Sequence, residues 1–210
     1  PNIADGIPEG CRVFVVETPP ELQESYQVSP ESALVPTDQT GWYDWIKQFD
    51  PLEPRDISSP GAMIYTSGTT GRPKGVRRKS GTPDEMDNLY ETINQAFDIG
   101  PGKRTIIPAP LYHSAPNTYG ILCVVMGMDE VVLMPRFDPE DLLRLIEKHK
   151  TTHLQTVPTM FIRMLKLPEE QRTKYVVSSL EFVVHAAAPC PPDIKQQMID
   201  WWGPIVNEYY

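Results

Sequence analysis

Residue types suited to chemistry are concentrated in Met63-Ile64-Tyr65-Thr66-Ser67-Gly68-Thr69-Thr70-Gly71-Arg72-Pro73-Lys74-Gly75-Val76. The stretch begins apolar, as the end of a buried strand, and continues as a polar loop of glycines, hydroxyls and one lysine. Glycines let the backbone turn through positive φ and aim several N–H groups at one point. Hydroxyls add uncharged donors, and the lysine adds a mobile cation. A phosphate chain suits that set, although the same residue types also make ordinary surface turns. Spacing excludes two phosphate loops. A Walker loop needs a hydroxyl residue after Gly-Lys, but here Lys74 precedes Gly75 and Val76 follows. The kinase pattern G-x-G-x-x-G fails because Gly68 is followed by Thr69, Thr70 and Gly71.

Two later stretches carry further candidates. Ala109-Pro110-Leu111-Tyr112-His113-Ser114-Ala115-Pro116 directly follows a strand, so His113 is either a plain loop residue or a group poised at a strand end. His185-Ala186-Ala187-Ala188-Pro189-Cys190 leaves another strand. Its alanines either permit close packing or offer a flat wall, poor in side chains, against which a planar ring can lie.

Tyr65 through Val76 resembles the signature loop of the adenylate-forming superfamily, which comprises acyl-CoA synthetases, aryl-CoA ligases, luciferases and the adenylation domains of peptide synthetases. The resemblance implies an ATP phosphate-binding loop in which Thr66, Ser67, Gly68, Thr69, Thr70, Gly71 and Lys74 hold the nucleotide, with Lys74 also catalytic. The Pro-Leu-aromatic-His segment is similar to the superfamily's second core motif. That implies that His113 is catalytic, standing between the phosphates and the acyl pocket and positioning the carboxylate. Amino-acid-activating members usually carry Phe-Asp there, so His113 argues for a simple carboxylic acid. The same resemblance implies that Ala186, Ala187 and Ala188 form the adenine wall and that Tyr210 stacks on adenine, and His185, one step before the alanines, is in a position to face the acyl group.

By this resemblance the fold is α/β, a parallel βαβ sheet flanked by helices within the large N-terminal domain of an adenylate-forming enzyme. The implied activity is that of an AMP-forming acid–thiol ligase, an acyl-CoA synthetase acting on a fatty or other hydrophobic acid. ATP, Mg²⁺ and coenzyme A are its expected cofactors and co-substrates, with no metal ligand in this chain. Glu208 stands too early in the Tyr-Gly-x-Thr-Glu motif to be the magnesium ligand, which would come beyond Tyr210. The lysine-bearing C-terminal lid is also outside the chain, so the fragment alone is expected to be inactive. Alternatives are an amino-acid or aryl-acid adenylation domain, and a non-catalytic nucleotide-binding or interaction module.

The elements that must position these residues are legible from patterning. Residues 1–60 read as a Pro-rich segment with one strand, Arg12 to Val16, and a core-facing aromatic helix carrying Trp42, Tyr43, Trp45, Ile46 and Phe49. Glu17 to Pro36 reads as loop with at most one helical turn. Residues 61–210 read as a βαβ subdomain binding ATP and the acyl group. Helices are expected at Asp84–Phe97, Ala115–Met126, a segment opened by Asp138-Pro139, Pro158–Leu165 and Pro192–Trp202. Strands are expected at Arg104–Ile107, Val131–Met134 (buried on both faces), His153–Val157, Leu180–His185 and Ile205–Tyr210. His149, near a helix end, reads as solvated or paired with the helix dipole. Strands separated by helices imply a parallel sheet with ligands at its carboxyl edge, and the signature loop is expected to leave that edge.

Composition agrees with a globular nucleotide-using protein. Of 210 residues, 40% are hydrophobic and 22% charged, and a net charge of −9 disfavours a nucleic-acid partner. The cations Arg72, Lys74, Arg77, Arg78 and Lys79 gather beside the loop. Cys11, Cys123 and Cys190 have no paired spacing, which points to a reducing cytoplasm. No run of about 18 apolar residues predicts a membrane span.

Overall fold

The structure, a computed structural model, describes residues 6–53, 63–66, 74–77 and 81–209. The chain divides into two compact units, Pro1–Ile57 and Ser58–Tyr210. In the first, Pro20 opens helix α1 (Pro20–Tyr26), longer than the single turn expected, and Gln27 ends it in the left-handed region at φ 55°. The strand expected at Arg12–Val16 does not form. Among the described residues its only pairing is one bridge between Val15 and Gly41, because the facing chain turns at once into helix α2 (Trp42–Ile46). On α2, Trp42 and Trp45 pack around Phe14, with ring centroids 5.7 and 4.4 Å away. Tyr43, Ile46 and Phe49 remain exposed, so this helix carries a surface aromatic cluster and not the core face expected of it.

In the second unit, strands β1 (Met63–Thr66) and β2 (Lys74–Arg77) pair antiparallel, with Thr66 opposite Lys74. The signature loop therefore belongs to a hairpin separate from the parallel sheet, not to the sheet edge as expected. Chain length explains this, since a parallel neighbour needs a crossover of a dozen or more residues and a hairpin does not. Met63, the first residue of β1, is half-exposed.

Helix α3 (Pro83–Phe97) follows. Thr82 and Glu85 form a capping box, Glu85 accepting from the Thr82 N–H at 2.8 Å and donating its own N–H to the threonine hydroxyl. Then come β3 (Arg104–Ile107), α4 (Ser114–Val125), β4 (Glu130–Leu133), α5 (Pro139–His149), β5 (His153–Thr156), α6 (Pro158–Leu165), α7 (Glu169–Thr173), β6 (Phe182–His185), α8 (Pro192–Trp202) and β7 (Val206–Glu208). The five strands β3 to β7 form one parallel sheet in the order β4-β3-β5-β6-β7.

Strand alternation divides the apolar side chains between two faces. Ile106, Leu154, Val183 and Val206 pack against Leu142, Leu143 and Ile146 of α5, Phe161 and Met164 of α6, and Met198 and Trp202 of α8. On the opposite face Ile107 and Val131 meet Tyr119 and Cys123 of α4 and Phe97 of α3. Burial pushes the Cys123 thiol up to about 12, so it behaves as a small apolar side chain. Strand β4 is an edge strand with Leu133 exposed, contrary to the expectation that both its faces are covered. From Tyr119 onward helix α4 carries no polar side chain except the Tyr119 hydroxyl and the Cys123 thiol, yet Ile121, Val124 and Val125 on its outer face are exposed. No helix among the described residues is long and apolar enough to cross a membrane.

Candidate active site

Strand order locates the site. β4 lies on one side of β3 and β5 on the other, so the connections leave toward opposite faces at this point. Open parallel sheets bind ligands outside the carboxyl ends of their strands at such a switch. A cavity of about 360 Å³ lies at that end, lined by Ser114 and Ala115 from the start of α4, Ala186 to Pro189 after β6, and Tyr209 after β7.

His113 is the N-cap residue of α4, in extended conformation, with its exposed ring 4.4 Å from that of Tyr112. The next two residues line the cavity, which places His113 at its rim. Ala186, Ala187 and Ala188 line one side of the cavity. Ala187 has φ 71°, a conformation that costs an L-residue about 1–2 kcal/mol and turns the backbone sharply at the wall. Thr66 and Lys74 close the base of the signature hairpin as a register pair. Ser67, Gly68, Thr69, Thr70, Gly71 and Tyr210 lie outside the described residues.

His185 is placed differently from its expected role. Alternation on β6 sends His185 to the same face as Val183, away from α4, where its ring meets Phe161 edge-on at 5.4 Å. It is fully buried, and neither ring nitrogen has a hydrogen-bond partner among the described residues. Nε2 stands 4.0 Å from the Glu208 carboxylate, which accepts from Lys195 at 2.9 Å. Burial pushes the His185 pKa down, opposed by the negative charge of Glu208. His185 therefore backs the wall from the core and does not face a bound acyl group.

Tyr209 was given no role of its own in the sequence, yet among the described residues it is the aromatic that lines the cavity. Gln155 Nε2 donates to its hydroxyl at 3.0 Å, and Phe97 meets its ring in a T-shaped contact at 5.1 Å. Counting alternation from buried Val206 would have found it, because Tyr209 falls on the face opposite Val206 and Glu208.

The amino ends of the strands carry a second polar cluster, remote from the cavity. Lys103 donates to Asp98 at 3.1 Å and Glu181 at 3.3 Å, and the buried His153 places Nε2 3.2 Å from Asp98. Burial raises the Asp98 pKa, but the hydrogen bonds with Lys103 and His153 outweigh it and leave the carboxyl below its ordinary value. Beside it Glu130 binds Arg104 and accepts the His149 ring at 2.9 Å. His149 thus has a carboxylate hydrogen-bond partner, where a solvated or dipole-paired ring was expected. These contacts tie the end of α3 and the starts of β3, β4 and β5 together, leaving the carboxyl end free for ligands.

Comparison with known proteins gives the same assignment. The chain is 32% identical over 154 residues to the long-chain-fatty-acid–CoA ligase of Bacillus subtilis, covering 70% of this chain and 26% of that protein. It is 31% identical over 156 residues to the 2-succinylbenzoate–CoA ligase of Bacillus pumilus, covering 73% of this chain and 30% of the relative. The matched region thus spans less than a third of either relative. Among solved structures, the N-terminal domain of FACL13 from Mycobacterium tuberculosis superposes with a TM-score of 0.65 at 20% identity, over 94% of this chain and 49% of that one. That likeness establishes the fold, the α/β parallel sheet of the N-terminal domain of adenylate-forming enzymes. The family model for AMP-binding enzymes matches residues 4–210, and the chain belongs to that family.

Proposed function

We propose that this chain is part of an ATP-dependent acyl-CoA synthetase that activates a hydrophobic carboxylic acid, fatty or otherwise. The observation that carries the reading is a convergence. The segment behind the Pro-Leu-Tyr-His sequence and the triple-alanine segment, far apart in the chain, line one cavity at the switch point of the sheet. Relatives named as CoA ligases make an acid–thiol ligation the natural reaction for it.

In the first step a carboxylate oxygen of the acid attacks the α-phosphorus of ATP and pyrophosphate departs, leaving an acyl-adenylate. In the second the sulfur of coenzyme A attacks the acyl carbon, AMP departs and the thiol proton is released. The chain's contribution is positioning and neutralisation of charge. Lys74 and the N–H and hydroxyl groups from Thr66 to Gly71 hold the phosphates. The alanine wall admits a flat base because little projects from it, and Tyr210 closes over that base. His113, at the rim, orients the carboxylate. No cluster of His, Cys, Asp or Glu among the described residues suits a metal ion, so no step is assigned to one.

The test is pyrophosphate release by the full-length protein given ATP and a panel of carboxylic acids. Acid-dependent release with hydrophobic acids, followed by coenzyme A-dependent thioester formation, is expected. Release with none of the acids overturns the reading. The 210-residue chain alone is expected to show no carboxylate-dependent ATP–pyrophosphate exchange.

A further inference from the structure

We infer that Glu208 is a positioning residue, a clasp that holds the alanine turn from both of its ends and thereby fixes the side of the cavity assigned to the flat base; this rests on the synthetase reading above. His185 and Glu208 are the last register partners of β6 and β7. Directly beyond them both chains enter the cavity lining, as Ala186 to Pro189 after β6 and Tyr209 after β7. The backbone joins the two chains once more at this point, the Tyr209 N–H donating to the His185 carbonyl at 3.2 Å. Contacts made by the His185–Glu208 pair therefore set the spacing of the two linings.

Glu208 is approached from both sides of the turn. Before the turn, the buried His185 ring places Nε2 4.0 Å from the carboxylate, where the negative charge attracts an N–H. After it, Lys195 near the start of α8 donates to the same carboxylate oxygen at 2.9 Å. Residues 186–194 thus form a loop whose two ends meet at one carboxylate. Inside that loop Ala187 has φ 71°, a conformation an alanine keeps only where its surroundings over-determine it. The Ala186 N–H bond to the Thr156 carbonyl is long, at 3.4 Å, and holds the turn weakly. A carboxylate suits the clasp, because an ammonium donates and cannot accept. Hydrogen bonding to Lys195 holds the Glu208 carboxyl below its ordinary value, so the charge persists at neutral pH. The Lys195 and Glu208 side chains are 30% and 35% exposed, a setting in which an ion pair adds little to global stability. Its effect is local, on the geometry of the turn.

The experiment measures kcat, KM for ATP, KM for the acid and the thermal midpoint in full-length wild-type protein, Glu208→Gln, Lys195→Met, the double variant and Lys195→Arg. Glu208→Gln and Lys195→Met are each expected to raise KM for ATP about tenfold, on the scale of coupling between residues of one network. Their kcat, acid KM and thermal midpoint are expected to stay near wild type. The double variant should be no worse than either single one, since both remove the same clasp, and Lys195→Arg should keep the wild-type values. An unmoved KM for ATP in both single variants, or losses that add in the double variant, overturns the assignment. Falls in kcat and midpoint without a change in KM for ATP also overturn it, leaving a structural contact only. Wild-type protein inactive with every acid would instead sink the synthetase reading, and the proposal with it, so the two failures are distinct.

Discussion

Thr66 and Lys74 stand opposite each other in the β1–β2 ladder, so the glycine- and hydroxyl-rich residues 67–73 begin and end at a single cross-strand pair. A loop anchored this way has its two ends fixed by backbone pairing that does not depend on the lysine side chain. Lys74→Ala is therefore expected to leave the folded state intact while slowing adenylation in the full-length protein by about 10²–10³-fold, the scale of losing one charge-stabilising donor. Acid-dependent pyrophosphate release, read beside a thermal melt, checks it. An unchanged rate removes Lys74 from the mechanism.

Acid should loosen the second unit before its carboxylates titrate. His153 and His185 are both fully buried, and burial is the leading cause that lowers each pKa from 6.5. The neighbouring charges are Asp98, Lys103 and Glu181 at His153, and Glu208 and Lys195 at His185. A depressed histidine binds fewer protons folded than unfolded. Its stabilisation is complete above the unfolded value and is lost as pH falls from there through the folded one. The urea midpoint is expected to be lower at about pH 5.5 than at about pH 7.5. His185→Leu should reduce that difference, and equal midpoints at the two pH values in the parent chain would contradict the account.

Phe161 is the largest fully buried side chain among the described residues and touches both His185 and Trp202, with centroids 5.4 and 6.2 Å away. Phe161→Ala should destabilise the second unit by about 3–5 kcal/mol through lost burial and the cavity left behind. Chemical denaturation measures this. A loss below about 1 kcal/mol would mean that α6 and α8 close the gap.

Ala187 reaches φ 71° without the freedom of glycine. A β-branched side chain there adds crowding to a strained backbone, so Ala187→Val is expected to lower stability by about 1–2 kcal/mol, whereas Ala187→Gly should be close to neutral. Denaturation midpoints of the two variants decide. Equal behaviour would show that the turn at the cavity wall relaxes freely.

Local signals carried the elements whose causes are local. Asp138 followed by Pro139 marks the start of α5, where the aspartate accepts from the Asp141 N–H at 2.9 Å. Pro192 and Gly203 bracket α8, and Gly127 at φ 76° follows α4. Parallel pairing was also legible, because helices separate the strands of the sheet. The contiguous motif at Tyr65–Val76 announced the family before any contact was known. Sequence by itself thus determined the family and the element types from Thr82 to Glu208.

Only the tertiary structure decided what depends on partners distant in the chain. Ladder register placed β4 at an edge and β1 with β2 in their own hairpin, since pairing partners are not encoded in the strand that needs them. It also turned His185 into the core and Tyr209 toward the cavity, although the two residues sit at adjacent strand ends. The physical reason is the two-residue period of a strand. Once Val183 and Val206 are committed to the helix-covered face, every neighbour's side is decided, and that commitment is made by packing against α5, α6 and α8.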